Sequence, residues 1–335
     1  MKKLIIIAFI IGFASACTKS SIRYEQPGEI SFRPVAAMTT KAAIGGTTYP
    51  EDATFNVWAW WGDVLENTPL SEFPSGAEMY LNKRPFGKDE NGNSWVGLDV
   101  PYFWPTRGSL VFAGYSPVSA KAQNFSYSWS NKTMTITAYE QSTDISKTVD
   151  LMWFDVTERS YTDNNPQDVA VDGVPVVFKH LLSWLTFKFQ KKEGASASYI
   201  VTDVKLLGIE TKARFTSSPA PGNEEWSDQI DPKPVPIWSG SYQVSTEAVA
   251  KESTPAGVLV IPQPCTAEHV QLQVTYKTEN GPEQTRDVYL TAGTDGHIWK
   301  PGKHYTYTIT FGDNEILVLP DVTDWETVTV DIEVQ

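Results

Sequence analysis

Val270-Gln271-Leu272-Gln273-Val274-Thr275-Tyr276 alternates apolar and polar residues without a break. Because successive side chains of a β-strand point to opposite faces of the sheet, this period of two predicts a strand with one buried face. Asn280-Gly281 follows, and Arg286-Asp287-Val288-Tyr289-Leu290 returns, which is typical of a β-hairpin with Asn-Gly near its tip. Similar alternation elsewhere in the chain decides the fold class.

The composition of the 335 residues agrees with a fold made of many short strands. The chain is 41% hydrophobic and contains 22 glycines and 22 prolines, which are spread along it as turns require. No helical period of useful length is present. Strands are predicted at 55–62, 109–115, 150–155, 174–178, 185–189 and 305–311. Short strands without crossover helices predict an all-β fold of two antiparallel β-sandwich domains.

A charged and then small-residue stretch, 191–198, is the predicted domain boundary. It separates an N-terminal β-sandwich, residues 42–192, from a C-terminal β-sandwich, residues 199–312. Residues 216–236 are rich in Pro, Ser, Gly and Asp, so we expect a long loop there. Asn314 to Trp325 is expected to be an irregular connector.

The N-terminus predicts export. Residues 1–16 contain two lysines, an apolar stretch too short to span a bilayer, and small residues immediately before Cys17. This arrangement resembles the lipobox of bacterial lipoproteins, in which the signal peptide is cut just before a cysteine that receives a diacylglyceryl group. Cys17 is therefore the predicted lipidation site. An ordinary signal peptide with an incidental cysteine is the alternative; if Cys17 is lipidated, Cys265 has no disulfide partner.

The formal net charge of −13 argues against two classes of partner. An acidic surface repels both nucleic acid and anionic lipid headgroups, so no nucleic-acid partner is expected. Solubility is the simplest explanation of the charge.

The two ends of the chain carry strands that suit exchange between molecules. Near the C-terminus, Val328, Val330, Ile332 and Val334 place β-branched apolar residues at every second position. Such a ribbon must lie on a sheet, and its terminal position leaves it free to become a donor strand for another molecule. Near the N-terminus, residues 29–36 predict a first strand that Pro34 restricts to an edge. Permanent pairing of both strands within their own domain is the alternative.

Several motifs together resemble the fimbrillin family, the subunits of type V pili. The motifs that carry this resemblance are Gly28 to Phe32, Thr40 to Ala42, Thr54 to Gly62, Asp150 to Trp153, Phe178 to Ser183, Trp299 to Tyr307 and Val322 to Trp325. They extend over essentially the whole mature chain. The motifs near the C-terminus are strong in combination and weak singly.

The resemblance implies a way of assembly. Members of the family are outer-membrane lipoproteins with two β-sandwich domains of transthyretin-like topology. A trypsin-like or arginine-specific surface protease removes the first strand, and subunits then polymerise into cell-surface fimbriae that serve adhesion. By position, the cut here would fall between Lys41 and Ala42. Residues 17–41 would then be a lipidated propeptide and 313–335 a connector with the donor strand. The partners implied are other pilus subunits, the protease and, before processing, the outer membrane.

Other functions have weaker support in the sequence. The four histidines have no metal-ligand spacing and no catalytic motif is present, so we expect no catalytic residues, no metal and no cofactor. The tryptophans could stack on sugars, which would make the chain a surface glycan-binding lipoprotein. These are Trp58, Trp60, Trp61, Trp95 and Trp104. A glycosidase-like enzyme is a third possibility, because acidic residues are plentiful.

Overall fold

The computed structural model describes residues 28–36, 49–64, 70–90, 94–160, 173–217, 225–247, 249–250, 257–266, 269–313 and 316–324. In these ranges the chain forms strands and short 3-10 turns, with no α-helix. The predicted all-β fold is confirmed. The 3-10 turns are Leu70–Glu72, Val118–Gln123, Ile145–Lys147 and Gly293–Asp295.

The strands are numbered in chain order. They are β1 (Phe32–Ala36), β2 (Phe55–Gly62), β3 (Glu78–Lys88), β4 (Trp95–Gly97), β5 (Ser109–Ser116), β6 (Phe125–Ser128), β7 (Thr133–Glu140), β8 (Met152–Ser160), β9 (Val174–His180), β10 (Ser183–Lys191), β11 (Tyr199–Thr216), β12 (Glu225–Gln243), β13 (Val249–Ala250), β14 (Val258–Val260), β15 (Gln271–Thr278), β16 (Glu283–Tyr289), β17 (Lys303–Phe311) and β18 (Ile316–Asp324). The predicted hairpin of the second half is β15–β16.

The first sheet closes on itself in the order β1-β4-β3-β2-β5-β8-β9. Strand β1 closes it, because it pairs with β4 on one side and with β9 on the other. The β1–β9 pair is parallel, whereas the other pairs of this sheet are antiparallel. Most of the first half of the chain separates β1 from β9, which is enough chain to bring two strands together in parallel.

The strands of the second half, together with β6 and β7, form two further sheets that pack face to face. One has the order β13-β10-β17-β18, with β14 also pairing with β10; the other has the order β16-β15-β11-β7-β6, with β12 also pairing with β11. A core of apolar side chains that includes Leu185, Val204, Val274 and Tyr307 lies between them. Burial of one face of each sheet in a shared core is the arrangement of a β-sandwich.

The sheets do not follow the predicted boundary at 191–198. Strand β10, which sequence analysis placed in the N-terminal domain, lies beside β17 in a parallel pair of the second sheet. Strand β7 precedes the boundary and pairs with β11 beyond it. A second apolar core therefore joins the outer face of β2 and β5 to β7, β11 and β12. The division into domains 42–192 and 199–312 stays a prediction.

The long loop predicted at 216–236 is wrong for residues 225–236, which belong to β12. The three prolines of this strand, at 232, 234 and 236, are exposed, whereas the alternate residues Val235 and Ile237 are buried. Strand β12 pairs with β11 along one side, and among the described strands it has no second partner. Proline is tolerated on such an edge strand, so a proline-rich stretch can still be a strand.

The irregular connector predicted at 314–325 is also wrong, for residues 316–324. These residues form β18, which pairs antiparallel with β17 from Lys303↔Asp324 to Phe311↔Ile316. Ile316, Val318 and Val322 pack against the core between the two C-terminal sheets. This gain in burial explains why the segment is a strand in spite of Pro320.

No helix in the described parts of the chain is both long enough and apolar enough to span a bilayer.

Candidate functional site

The candidate site is the place that β1 occupies in the closed sheet. Strand β1 runs along β9 from Phe32↔Val174 to Ala36↔Phe178 and meets β4 at the single pair Phe32↔Trp95. The sequence predicted an edge strand here. Beyond Phe32, β1 has a ladder partner on the β9 side alone among the described strands, so Pro34 lies where a missing N–H donor is tolerated.

Three backbone hydrogen bonds hold the segment that leads into β1. The amide of Ile30 donates to the carbonyl of Tyr102 at 2.6 Å, and the amide of Trp104 donates to the carbonyl of Gly28 at 3.0 Å. On the other side, the amide of Val174 donates to the carbonyl of Ser31 at 2.7 Å. The first strand is therefore anchored on both sides by groups that would lose their partners if it left.

The side chain of Phe32 lies at the centre of an aromatic cluster inside the sheet. Its ring is fully buried and lies 4.8 Å from the ring of Phe86, 5.3 Å from that of Phe112 and 5.6 Å from that of Phe55. All three pairs are edge-to-face, with interplanar angles of 84–87°. This geometry places the positive ring edge against the negative ring face, and each such pair adds to the energy of burial.

A glycine permits the close approach of β1 to β9. Gly173 immediately precedes β9 and has φ of +78°. This backbone conformation is unfavourable for any residue that carries a Cβ atom. A Cβ atom at Gly173 would lie 2.8 Å from the carbonyl carbon of Phe32 and 3.0 Å from its amide nitrogen. Glycine is therefore required here both for its conformation and for the space that it leaves.

The arrangement can support strand exchange. Loss of β1 would remove one ladder partner of β9, the partner of β4 at Trp95, and the aromatic ring that fills the interior. What remains is a groove with a free strand edge and an apolar floor. Such an edge is a template for a strand from another chain.

The predicted processing and donor residues lie outside the described residues. They are Cys17, Lys41, Ala42, Val328, Val330, Ile332 and Val334. By sequence, Lys41 lies between the end of β1 and the start of β2, and the four donor residues follow β18. Their predicted roles stay predictions.

The residues that surround Phe32 are not apparent from the sequence. Phe55 and Phe112 lie in strands that it predicted, but nothing in a single sequence indicates that these side chains meet. Asp172-Gly173 is a turn dipeptide that could have singled out this glycine, but it does not show which strand approaches it. A search for aromatic residues on the inward face of predicted strands would have identified some of the cluster.

The five tryptophans considered for sugar stacking do not form a sugar-binding platform. Trp58, Trp60, Trp95 and Trp104 are 1–8% exposed, so a saccharide cannot stack on them. Both faces of β2 are covered, because one lines the closed sheet and the other packs against β6 and β7. Trp61 alone is half-buried; its Nε1 donates to the carbonyl of Arg107 at 2.8 Å, and the Arg107 guanidinium lies 5.9 Å from its ring.

The buried titratable groups are part of the packing. His180 Nδ1 lies 2.9 Å from a carboxylate oxygen of Asp150, and both side chains are almost inaccessible. His304 is stacked on Trp184 with ring centroids 3.7 Å apart, and burial lowers its pKa to about 4. Burial raises the pKa of the Cys265 thiol to about 12. Within the described ranges no three His, Cys, Asp or Glu residues form a group that could hold a metal ion.

Comparison with solved structures gives the same fold. A fimbrial protein from Bacteroides vulgatus superposes with a TM-score of 0.60 at 17% identity, over 88% of this chain and 99% of that one. Candidate cell adhesion proteins from Bacteroides uniformis and Bacteroides ovatus have TM-scores of 0.53 and 0.52, at 16% and 13% identity. These two matches cover 89% and 90% of this chain, and 98% and 99% of the other chains. At these identities the similarity concerns the fold alone.

Comparison of the sequence with protein families gives the assignment. No curated protein matches the chain. The family model described as fimbrillin-like matches residues 40–325, which include all of the described strands except β1. That family consists of structural subunits of cell-surface fimbriae, which assemble with other pilus subunits, and not of enzymes. The chain therefore belongs to the fimbrillin-like family and is a structural fimbrial subunit.

Proposed function

We propose that this chain is exported as a lipoprotein, trimmed by a protease, and polymerised into a cell-surface fimbria by exchange of terminal strands. The observation that carries the proposal is the position of β1, a separate first strand whose Phe32 ring fills the interior of the closed sheet. A strand that completes a core from the chain terminus can be replaced by an equivalent strand from a neighbour.

Cys17 is the proposed lipid anchor, and it holds the unprocessed subunit at the outer membrane. Attachment by two or three acyl chains, palmitate among them, gives stable binding where one chain does not. Cys17 precedes β1, so both belong to the same N-terminal piece of the chain. A single cut after β1 would break the covalent link of the subunit to its lipid and to its first strand together.

That cut is proposed between Lys41 and Ala42, by a trypsin-like or arginine-specific surface protease. The position follows the end of β1 by five residues and precedes the described residue Tyr49. A lysine here suits a protease of trypsin-like specificity. Cleavage would leave β1 attached to the sheet by non-covalent contacts alone.

The proposed donor strand carries Val328, Val330, Ile332 and Val334. It follows β18, which is itself on the edge of its sheet, so the last residues can extend away from the subunit that they belong to. Backbone hydrogen bonds to β9 would supply affinity, and the alternate apolar side chains would set the register. The assembled fimbria would serve adhesion, as the description of the similar structures as candidate cell adhesion proteins suggests.

Two measurements test this function. Edman sequencing of surface-assembled protein should give Ala42 as the first residue, and an acylated Cys17 in the polymer would contradict the proposal. Deletion of residues 326–335 should abolish filaments while the monomer still folds.

A matched pair of substitutions distinguishes a specific loss of strand donation by the tail from a general effect of an added charge. Val330→Asp places a charge on the apolar face of the tail and should prevent polymer formation, because a buried unpaired carboxylate is costly. Thr329→Asp places the same charge on the polar face and should leave polymerisation intact. Equal behaviour of the two variants would refute the role of the tail as donor.

A further inference from the structure

We propose that the groove vacated by β1 selects an incoming strand with an aromatic side chain on its inward face, and that its partner is therefore a subunit other than a second copy of this chain. The inference rests on the proposed strand exchange and adds to it the chemistry by which the partner is recognised. It follows from the shape of the space around Phe32 and from the sequence of the chain's own tail.

The space around Phe32 is shaped for a flat ring. Three phenylalanine rings meet it edge-to-face, at centroid distances of 4.8–5.6 Å, and a fourth, from Phe154, lies tilted at 6.5 Å. These four rings form the walls of the space around Phe32. They come from β2, β3, β5 and β8, which are strands of the closed sheet other than β1. A β-branched aliphatic side chain would forfeit the edge-to-face contacts and would leave part of the space empty.

The walls have little freedom to close over a smaller side chain. Phe55, Phe86, Phe112 and Phe154 are each no more than 1% exposed, and each belongs to a strand with a hydrogen-bonded neighbour on at least one side. Interiors packed in this way relax only in part when a side chain is made smaller, so a residual cavity is the expected result. The groove therefore discriminates between an aromatic and an aliphatic strand.

The inward positions of β1 define the sequence that the groove accepts. Ile30, Phe32 and Pro34 are buried, whereas Arg33 is exposed. The inward pattern is thus an aliphatic residue, an aromatic residue two positions later, and a further small apolar residue. At Phe32, Gly173 leaves room for the main chain of the strand.

The chain's own tail lacks this pattern in every register. The apolar face of the tail consists of Val328, Val330, Ile332 and Val334, and the other face carries Thr, Asp and Glu. From Ile316 to Gln335 the single aromatic residue is Trp325, which alternation places on the face of Thr327 and Thr329. In every register that turns the apolar face inward, valine or isoleucine would face the four phenylalanine rings, and the opposite registers would bury Asp331 and Glu333.

The two ends of this chain therefore suit different neighbours. Its groove suits a donor with an inward aromatic residue, and its β-branched tail suits a groove with a narrower, aliphatic interior. Exchange with unlike subunits at both ends would place this chain within a mixed fimbria and would limit its polymerisation with itself.

The test uses the full chain with a specific protease site introduced between β1 and β2. After cleavage, fluorescent peptides are added, and their binding to the groove is followed by fluorescence anisotropy. One peptide has the sequence of residues 28–36, the second is its Phe32→Val variant, and the third has the sequence of residues 326–335. We expect the Phe32→Val change to weaken binding at least about tenfold, and the tail peptide to bind as weakly as that variant.

A gain-of-function series completes the test. Phe is introduced in turn at 328, 330, 332 and 334 of the tail peptide, and Thr329→Phe on the polar face is the matched control. One of the four substitutions should raise the affinity at least about tenfold, while Thr329→Phe should not. In the full-length cleaved chain, the same substitution should convert slow into rapid self-polymerisation.

The outcomes separate the inference from the proposed function. If the unmodified tail binds as tightly as the peptide 28–36, or if no inward phenylalanine improves it, aromatic selection is refuted while strand exchange stands. If the cleaved chain exchanges its first strand with none of the peptides and forms no polymer, strand exchange fails and the inference fails with it.

Discussion

Replacement of Phe32 by alanine is the most direct test of how β1 is held. The ring is 0% exposed and makes three edge-to-face contacts. Truncation of a buried phenylalanine costs about 3–5 kcal/mol of unfolding free energy, which includes the cavity that remains. Since the walls around Phe32 are rigid and each aromatic pair adds about 0.5–1.5 kcal/mol beyond burial, we expect a loss of about 4 kcal/mol. At about 2 °C for each kcal/mol, the Tm should fall by roughly 8 °C.

The matched control is another phenylalanine beside the same strand. Phe103 forms the bridge to Glu29 through its backbone, but its side chain is 47% exposed. Phe103→Ala should cost less than about 1 kcal/mol, because little apolar area is lost and the backbone contact persists. Denaturant unfolding of the full chain, followed by near-ultraviolet circular dichroism, measures both variants.

Hydrogen exchange tells whether the loss is local to β1. The amides of Ile30 and Val174 donate across the two sides of the first strand, so both should lose protection in Phe32→Ala before the rest of the sheet does. If Phe32→Ala is no less stable than Phe103→Ala, or if these amides stay protected, the aromatic cluster does not hold β1 and the reasoning about the groove is refuted.

Three further predictions concern single groups. Gly173→Ala should cost about 2–4 kcal/mol in denaturant unfolding, whereas Gly194→Ala, with φ of +79° but no atom within 4 Å of the added Cβ, should cost only about 1 kcal/mol. The Cys265 thiol, whose pKa burial raises to about 12, should resist a thiol reagent at pH 8 in the native protein and react fully in denaturant; reaction at equal rates in both states would contradict its burial. His304 has its pKa lowered from 6.5 to about 4, so the unfolded state binds more protons between these values and stability should fall as the pH falls through this range. Partial exposure reduces the loss to roughly 1–2 kcal/mol, and thermal melts from pH 7 to pH 4 should show it in the native chain but not in His304→Phe.

Alternation predicted strands well wherever one face meets a core and the other meets solvent. Strand β15 follows this pattern, because its buried residues alternate with partly exposed ones along the strand. The errors at β12 and β18 arise because the local composition of these two strands resembles that of a loop. Prolines and polar residues in those segments are typical of loops, but both strands lie on sheet edges, where a missing donor has no cost and one ladder partner suffices.

The all-β class, most strand positions, and the similarity to fimbrial subunits could be predicted from the sequence alone. These properties depend on local periodicity and on short motifs, which a single sequence contains. The three-dimensional structure was needed to show that β1 lies parallel to β9, that β10 belongs to the second sheet, and that the ring of Phe32 meets three others edge-to-face. Such contacts join residues distant in sequence, and their energy depends on distance and orientation in space, which periodicity does not contain.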